Sequence, residues 1–417
     1  MNSHPVISGL GIISPIGIGV DAFWRSACLG RSGLRRASFT APNVPNDCHI
    51  VGDVRDFHAR EWMPATTART ASRFSQFAIA AAEMAYVDAG LSRKEDRNEA
   101  FAAADIKVSI GSCMDGQADV GESSHAAFMR GEVPKPFTVL EYPAHASSSH
   151  VAIAAGAHGQ AITFATACAA GLDAIAWASE EVRLGRAKAV LAGGTESPLS
   201  AYSLELFNSV GVLANWDGDP SQASRPFDRR RSGLVLAEGS GLVLLERGDS
   251  AHARGATPYA RILGYATANE GQHLRKVDTS GSTVGRAMEL ALRSARLAPT
   301  DIDYVCAHGN SMPDYDVAET AGIKRALGKH AWNIPVSSVK SMCGQALGAG
   351  SAIQVVTACL ALRDGIIPPT INYEYPDPAC DLDYVPNHAR RARVNTVLIH
   401  AHSLGGAHVA LVLGKGT

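Results

Sequence analysis

The stretch 162-ITFATACAAGLDAIAWASEEV-182 places one cysteine, Cys168, among alanines and threonines at a predicted strand-to-helix junction. After it, Leu172, Ile175, Ala176 and Val182 trace one helical face, while Glu180, Glu181 and Arg183 fall elsewhere. A thiol in the first turn of such a helix meets the positive end of the backbone dipole, which is expected to lower its pKa and favour the thiolate. The small residues around it suit a sharp turn that exposes a nucleophile. The competing reading is a small buried apolar side chain, since free cysteine is among the most buried residue types. That second reading is the one applied to Cys28, Cys48, Cys306, Cys343, Cys359 and Cys380.

Outward from this junction, short Val/Ile/Leu-rich runs alternate with alanine-rich helical patterns. Predicted strands are 5–13, 106–112, 187–194, 241–246, 259–267, 303–309, 395–403 and 408–414. Between them, 77-FAIAAAEMAYVDAGL-91 and 285-GRAMELALRSARL-297 carry apolar residues at three- and four-residue spacing. The alternation predicts an α/β protein with largely buried sheets. The halves also resemble each other. Helix 82–91 aligns with 288–297, and each is followed by Asp-Ile and a buried strand. A strand, a Gly/Ala-rich turn and an alanine-rich helix then recur around Cys168 and around Gln345, as an internal duplication predicts. The join falls near the polar segment 247–258, giving an N-terminal half at 1–250 and a C-terminal half at 251–417 that pack as one unit.

The chain has 417 residues, 46% hydrophobic and 19% charged, with 40 glycines, which is enough for two core-bearing halves. A net charge of -2 without long runs of either sign gives no footprint for nucleic acid or an anionic membrane. The N-terminal 1-MNSHPVISGLGIISP-15 does not read as a secretory signal, and no apolar run reaches the roughly 20 residues of a membrane span. Eight scattered cysteines without a CxxC pair suit reduced thiols in a cytoplasmic enzyme, with no cysteine-bound metal. No cofactor is expected.

Two further places hold candidate chemistry. In 307-AHGNSMPDYDVAE-319, His308 ends a strand and opens into a turn, while Asp316 and Glu319 are spaced to share a helical face. In 338-SVKSMCGQALGAGSAIQ-354, a Gly/Ala-rich turn carries Lys340 and Gln345. The glycine-rich 403-SLGGAHVALVL-413 holds neither a P-loop nor a GxGxxG pattern, so nucleotide binding is not expected.

Together with 8-SGLGIISPIG-17, 166-TACAAGLDAI-175, 193-GGTESPLS-200, 223-ASRPFDRRRSG-233 and 238-EGSGLVLLE-246, these segments make a chain that resembles the β-ketoacyl acyl-carrier-protein synthases of elongating type, in the thiolase superfamily. The likeness covers nearly the whole chain, and it is the order and spacing of the motifs that are specific. It implies a duplicated five-layer αβαβα fold, usually dimeric. By position it implies Cys168 as acyl-accepting nucleophile, His308 as first active-site histidine and Lys340 as the lysine of KSxxGH. It further implies Glu319 and Asp316 as the acidic residues supporting that lysine and its surroundings. Phe207 falls at an aromatic position near the cysteine, and the backbone amides of Cys168 and Leu404 at the oxyanion hole. The implied partner is acyl carrier protein with its phosphopantetheine thioesters, in a homodimer or in a heterodimer with another ketosynthase-like subunit.

The chain departs from the family pattern at identifiable residues. KSxxGH reads KSMCGQ, so Gln345 replaces the second histidine. A carboxamide donates and accepts hydrogen bonds but does not titrate near neutrality. HGTxTP reads HGNSMP, putting Asn310 and Met312 at the threonine positions that contact the pantetheine arm. GFGGTN reads SLGGAH, with Ser403 and Leu404 at the gate, His408 for asparagine and, just before it, His402 for phenylalanine. Cys113, Met114 and Asp115 occupy a segment that lines the acyl pocket, and Arg69 and Arg73 are the cations kept in the segment that faces the carrier protein. These changes point to a specialised fatty-acid or type II polyketide pathway. Three readings stay open at this level: a decarboxylating ketosynthase, a non-decarboxylating acyltransferase of the same fold, and a chain-length-factor-like partner subunit.

Overall fold

The structure, a computed structural model, describes residues 4–416; the first three residues of the N-terminal segment read above lie outside the described range. Ten strands stand side by side in an 11-stranded sheet, with the two-residue Gly17–Ile18 paired to one side. In the N-terminal half they are β1 Pro5–Ser14, β2 Ile106–Gly111, β3 Ala161–Phe164, β4 Ala189–Glu196 and β5 Gly239–Arg247. In the C-terminal half they are β6 Ala260–Asn269, β7 Tyr304–Cys306, β8 Val336–Ser337, β9 Thr396–His402 and β10 Ala407–Lys415. All eight predicted strands are present. The order across the sheet is β3-β2-β4-β5-β1 followed by β6-β10-β9-β7-β8. Each half therefore repeats one arrangement: first, fifth, fourth, second and third strand, with antiparallel pairing for the first two contacts and parallel for the last two. The duplication suspected from a few matched residues is visible in the topology.

Six helices complete the layers: α1 Arg73–Asp88, α2 His145–Ala155, α3 Ala170–Arg183, α4 Ser282–Ala295, α5 Pro313–Leu327 and α6 Leu347–Asp364. Successive strand residues point to opposite faces, and the core divides accordingly. Val243 and Leu245 of β5 face α3 and α6, while Leu242 and Leu244 face α1. On β10, Leu411 and Leu413 face the same central helices, while Ala410 and Val412 face α4 and α5. The result is helix, sheet, helix, sheet, helix, the five-layer thiolase-like architecture, with strands buried on both faces as their unbroken apolar runs require.

The central helices cross through small residues. A Cβ at Gly171 would come within 2.6 Å of the Gly348 carbonyl, so this contact of α3 with α6 needs glycine. Leu172 N–H donates to Ser351 Oγ at 3.1 Å across the same crossing. The crossing brings the turn before α3 against the turn before α6, which places Cys168 and Gln345 in one region. At the far end of the sheet β3 is an edge strand, and the chain between β2 and β3 leaves Phe128, Met129, Val133, Val139 and Ile153 exposed. No helix among the described residues is long and apolar enough to cross a membrane.

Candidate active site

Cys168 lies in a short 3₁₀ turn, Ala167–Ala169, that leads from β3 into α3. The residue before it, Ala167, has φ 51°, a left-handed conformation that costs a non-glycine residue about 1 kcal/mol or more. The sequence-based expectation of a depressed thiol pKa does not hold. Burial pushes Cys168 up to about 11; Lys340 and the Gln345 side chain pull it down, and Glu196 pushes it further up. Withdrawal from water outweighs the helix terminus, so the resting group is a thiol whose ionisation is assisted locally. All eight cysteines are free.

His308 follows β7, and its loop is fastened by carboxylates. Glu319, on α5, accepts the main-chain N–H groups of His308 and Gly309, each at 2.7 Å, and pairs with His400 Nδ1 at 2.8 Å. Asp316 accepts Phe227 N–H at 2.7 Å and Asn310 N–H at 3.2 Å, with Arg231 3.6 Å away. Both carboxylates are fully buried, unlike an ordinary solvated helix face. Burial raises the Asp316 carboxyl to about 7, with Arg231 opposing. Lys340 donates through Nζ to the His308 carbonyl at 2.7 Å and to Gln354 Oε1 at 2.9 Å. The implied support of this lysine by acidic residues is therefore indirect: Glu319 favours the ammonium through space, but the hydrogen bonds come from a carbonyl and a glutamine. Burial brings Lys340 down to about 8. Gln354 was not evident from the sequence. It also donates to the carbonyls of Ala307 and His400 at 2.8 and 2.9 Å, tying α6 to β7 and β9.

Gln345 is buried, and neither its Nε2 nor its Oε1 has a hydrogen-bond partner. A Cβ at Gly350 would lie 3.1 Å from Gln345 Oε1 and 3.4 Å from Lys340 Cε, so the glycine makes room for both side chains. The β9–β10 hairpin, paired through β9 to the strand that leads to His308, adds three more imidazoles, His400, His402 and His408. The sequence offered a partial signal for them. His400 and His402 are two apart in a strand, hence on one face, and the register sets His402 opposite His408. Their meeting with His308 depends on the strand order. Among the described residues, no group of three or more His, Cys, Asp or Glu side chains is placed to hold a metal ion.

An apolar cluster adjoins the thiol. Cys168, Met312 and Tyr315 are buried in it, and Met114, Phe207 and Leu404 pack against it partly buried. Asn310 has its side-chain carbonyl taken by Met312 N–H at 3.1 Å, so it closes its own turn. Ser403 donates to the Ala407 carbonyl at 3.4 Å. In the turn after β9 the amides of Ser403, Gly405 and Gly406 are bonded to carbonyls, with Leu404 between them. Glu196, at the end of β4, accepts N–H groups from Cys113, Met114 and Gly348 at 2.7, 3.1 and 3.2 Å. Burial and Asp115 raise its carboxyl to about 8. Of the two arginines singled out, Arg69 is exposed. Arg73 is committed to Glu238 at 2.7 Å and to the Val54 carbonyl at 2.6 Å, which removes it from the list of open cations.

The family described as Beta-ketoacyl synthase, N-terminal domain, matches residues 4–251, and Beta-ketoacyl synthase, C-terminal domain, matches residues 259–374. A 3-oxoacyl-(acyl-carrier-protein) synthase 2 of Synechocystis sp. is 39% identical over 98% of this chain and 97% of its own length. The tetracenomycin polyketide synthase ketoacyl synthase alpha subunit of Streptomyces glaucescens is 37% identical over 98% of this chain and 96% of its own. A solved structure of a type II polyketide acyl-carrier protein in complex with its ketosynthase superposes over 100% of both chains with a TM-score of 0.92 at 33% identity. With both family domains matched in order and a thiol, an imidazole and a lysine set where the fold's two turns meet, the chain belongs to the β-ketoacyl synthase family.

Proposed function

We propose that the protein is a ketosynthase of 3-oxoacyl-carrier-protein synthase type, acting in a specialised fatty-acid or type II polyketide pathway. The observation that supports it most is the buried thiol of Cys168 with an apolar cluster on one side and Lys340, Gln345 and the His308 loop on the other. Cys168 Sγ attacks the thioester of an acyl group on carrier protein. The new C–S bond forms, the bond to the carrier's sulfur breaks, and the proton from Cys168 leaves with that sulfur. Main-chain N–H groups of Cys168 and Leu404 receive the developing oxyanion, and one such donor is typically worth about 10²–10³ in rate. A malonyl thioester then loses CO₂, its enolate attacks the acyl carbon, the C–Sγ bond breaks, and Cys168 takes up a proton. The acyl chain rests among Phe207, Met114 and Met312.

The partner is acyl carrier protein. The open edge of β3 and the exposed apolar residues before it support a second subunit, either another copy or a ketosynthase-like partner. One solved neighbour, described as the ishigamide ketosynthase/chain length factor, matches with a TM-score of 0.90 at 30% identity. Retention of Cys168 speaks against a purely structural subunit, while Gln345 keeps a non-decarboxylating acyltransferase as the second reading. The test is incubation with acyl- and malonyl-carrier protein while intact masses are followed. An acyl adduct on Cys168, CO₂ release and a β-keto product are expected; acylation without CO₂ release would establish the second reading instead.

A further inference from the structure

The hairpin β9–β10 sets a second imidazole against His308. The His402 and His308 ring centroids are 4.3 Å apart and nearly perpendicular, at 83°. His402 also lies 4.8 Å from the Tyr315 ring, 5.2 Å from His400 and 5.6 Å from His408. Tyr315 belongs to the apolar cluster that holds Cys168.

The four imidazoles are not alike. The outer two are anchored by carboxylates: His400 Nδ1 to Glu319 at 2.8 Å and His408 Nε2 to Glu270 at 3.0 Å. The inner two, His308 and His402, are each 1% exposed, and all four of their ring nitrogens are without a hydrogen-bond partner. Buried polar atoms are ordinarily satisfied, and each exception in a folded protein asks for a reason. A phenylalanine would fill the His402 position with no such cost. Burial, Lys340 and the neighbouring imidazoles keep both inner rings neutral, so each carries one N–H donor and one acceptor nitrogen.

Gln345, whose carboxamide also lacks a partner, lies beside Gly350 and Lys340 and favours the Cys168 thiolate. His402 is the unpartnered imidazole whose ring meets that of His308.

We propose that His402 is the second imidazole donor of the condensation step, its N–H and that of His308 together holding the oxygen of the extender thioester as the enolate forms. This rests on the decarboxylating reading above. The bond from the extender's methylene carbon to its carboxylate breaks and CO₂ leaves. The electron pair passes to the thioester oxygen, where two neutral donors hold it without proton transfer. The enolate then forms its C–C bond to the acyl carbon on Cys168, the C–Sγ bond breaks, and the thiolate is protonated from solvent.

The experiment measures acylation of Cys168 and condensation separately in His402→Phe and His402→Gln. The phenylalanine keeps a ring against His308 but has no N–H; the glutamine restores a donor. Acylation within about twofold of the unsubstituted enzyme is expected in both, with condensation down about 10²–10³-fold in His402→Phe, the usual worth of one oxyanion donor, and partly recovered in His402→Gln. Condensation by His402→Phe within threefold of the unsubstituted enzyme would overturn the assignment. So would equal losses of acylation and condensation in both variants, since His402 would then act through packing. If the unsubstituted enzyme releases no CO₂, it is the decarboxylating reading that fails, a result distinct from either of these.

Discussion

The turn before α3 and the turn before α6 occupy equivalent places in the duplicated fold, yet they hold opposite kinds of side chain. Each follows a short parallel strand and runs into a central helix, and each junction holds a non-glycine residue in the left-handed region, Ala167 at φ 51° in the first turn and Leu347 at φ 39° as the first residue of α6. The first presents a thiol; the second presents a lysine committed to two acceptors and a carboxamide with none. The loops after the second strand of each half repeat the theme. Glu196 gathers the N–H groups of Cys113 and Met114, and Glu319 gathers those of His308 and Gly309. A repeated scaffold thus supplies rigidity twice, and each copy gives up the other's chemistry: one makes the covalent bond, the other sets the field around it.

The sharpest way to break this division is to remove the reactive group from each turn. Cys168→Ala is expected to abolish the acyl adduct entirely, read by intact mass. Gln345→Ala is expected to slow acylation by no more than about tenfold, the worth of one neutral hydrogen bond offered to the sulfur only as it ionises. Equal losses would mean that the turns do not divide the work.

Next in size is Lys340→Met. It leaves Gln354 Oε1 without its donor and the His308 carbonyl with only the longer bond from Ser338 Oγ, 3.3 Å, costing about 1–3 kcal/mol in denaturant unfolding. It also removes the cation that favours the Cys168 thiolate, so the thiolate fraction falls tenfold for each unit the thiol pKa rises and alkylation by iodoacetamide at fixed pH slows by about threefold per unit. Unchanged alkylation would detach the second turn from the first.

The loop carboxylates give a pH signature. Asp316 is raised from 3.8 to about 7 in the folded chain, so between those values the folded state holds a proton that the unfolded state releases. Its contribution to stability is complete below about pH 4 and is lost as pH rises through 7, with a slope of up to about 1.4 kcal/mol per pH unit. Asp316→Asn is expected to flatten the fall in stability between pH 4 and 7, measured by urea unfolding at several pH values. An unchanged slope would place that dependence on another group. The smallest effect belongs to the gate: Leu404→Phe, narrowing the apolar cluster beside Cys168, is expected to shift acyl chain-length preference by several-fold in competition assays.

Much of the fold could be read from local pattern. The continuous apolar strands and the helices at three- and four-residue spacing lie where periodicity put them, and the match of 82–91 with 288–297 foreshadowed α1 and α4 as equivalents. Cys168, His308, Lys340 and Gln345 were legible as residue types at turns. Three features were not. The thiol pKa moves up rather than down, because depth of burial is set by what packs over the turn. Arg73 looked like an open cation until Glu238, distant in sequence, closed on it. The histidine cluster joins a loop near residue 308 to a hairpin near residue 400, and only their placement on adjacent strands β7 and β9 brings the rings together.

By itself the sequence determined the alternation of buried strands and helices, their duplication, and the chemical types at each turn, because these depend on neighbours a few residues away. Tertiary structure decided which groups are charged, which hydrogen bonds are left open, and which imidazole stands beside His308. Those properties follow from desolvation and from contacts between segments that only the closed sheet makes adjacent.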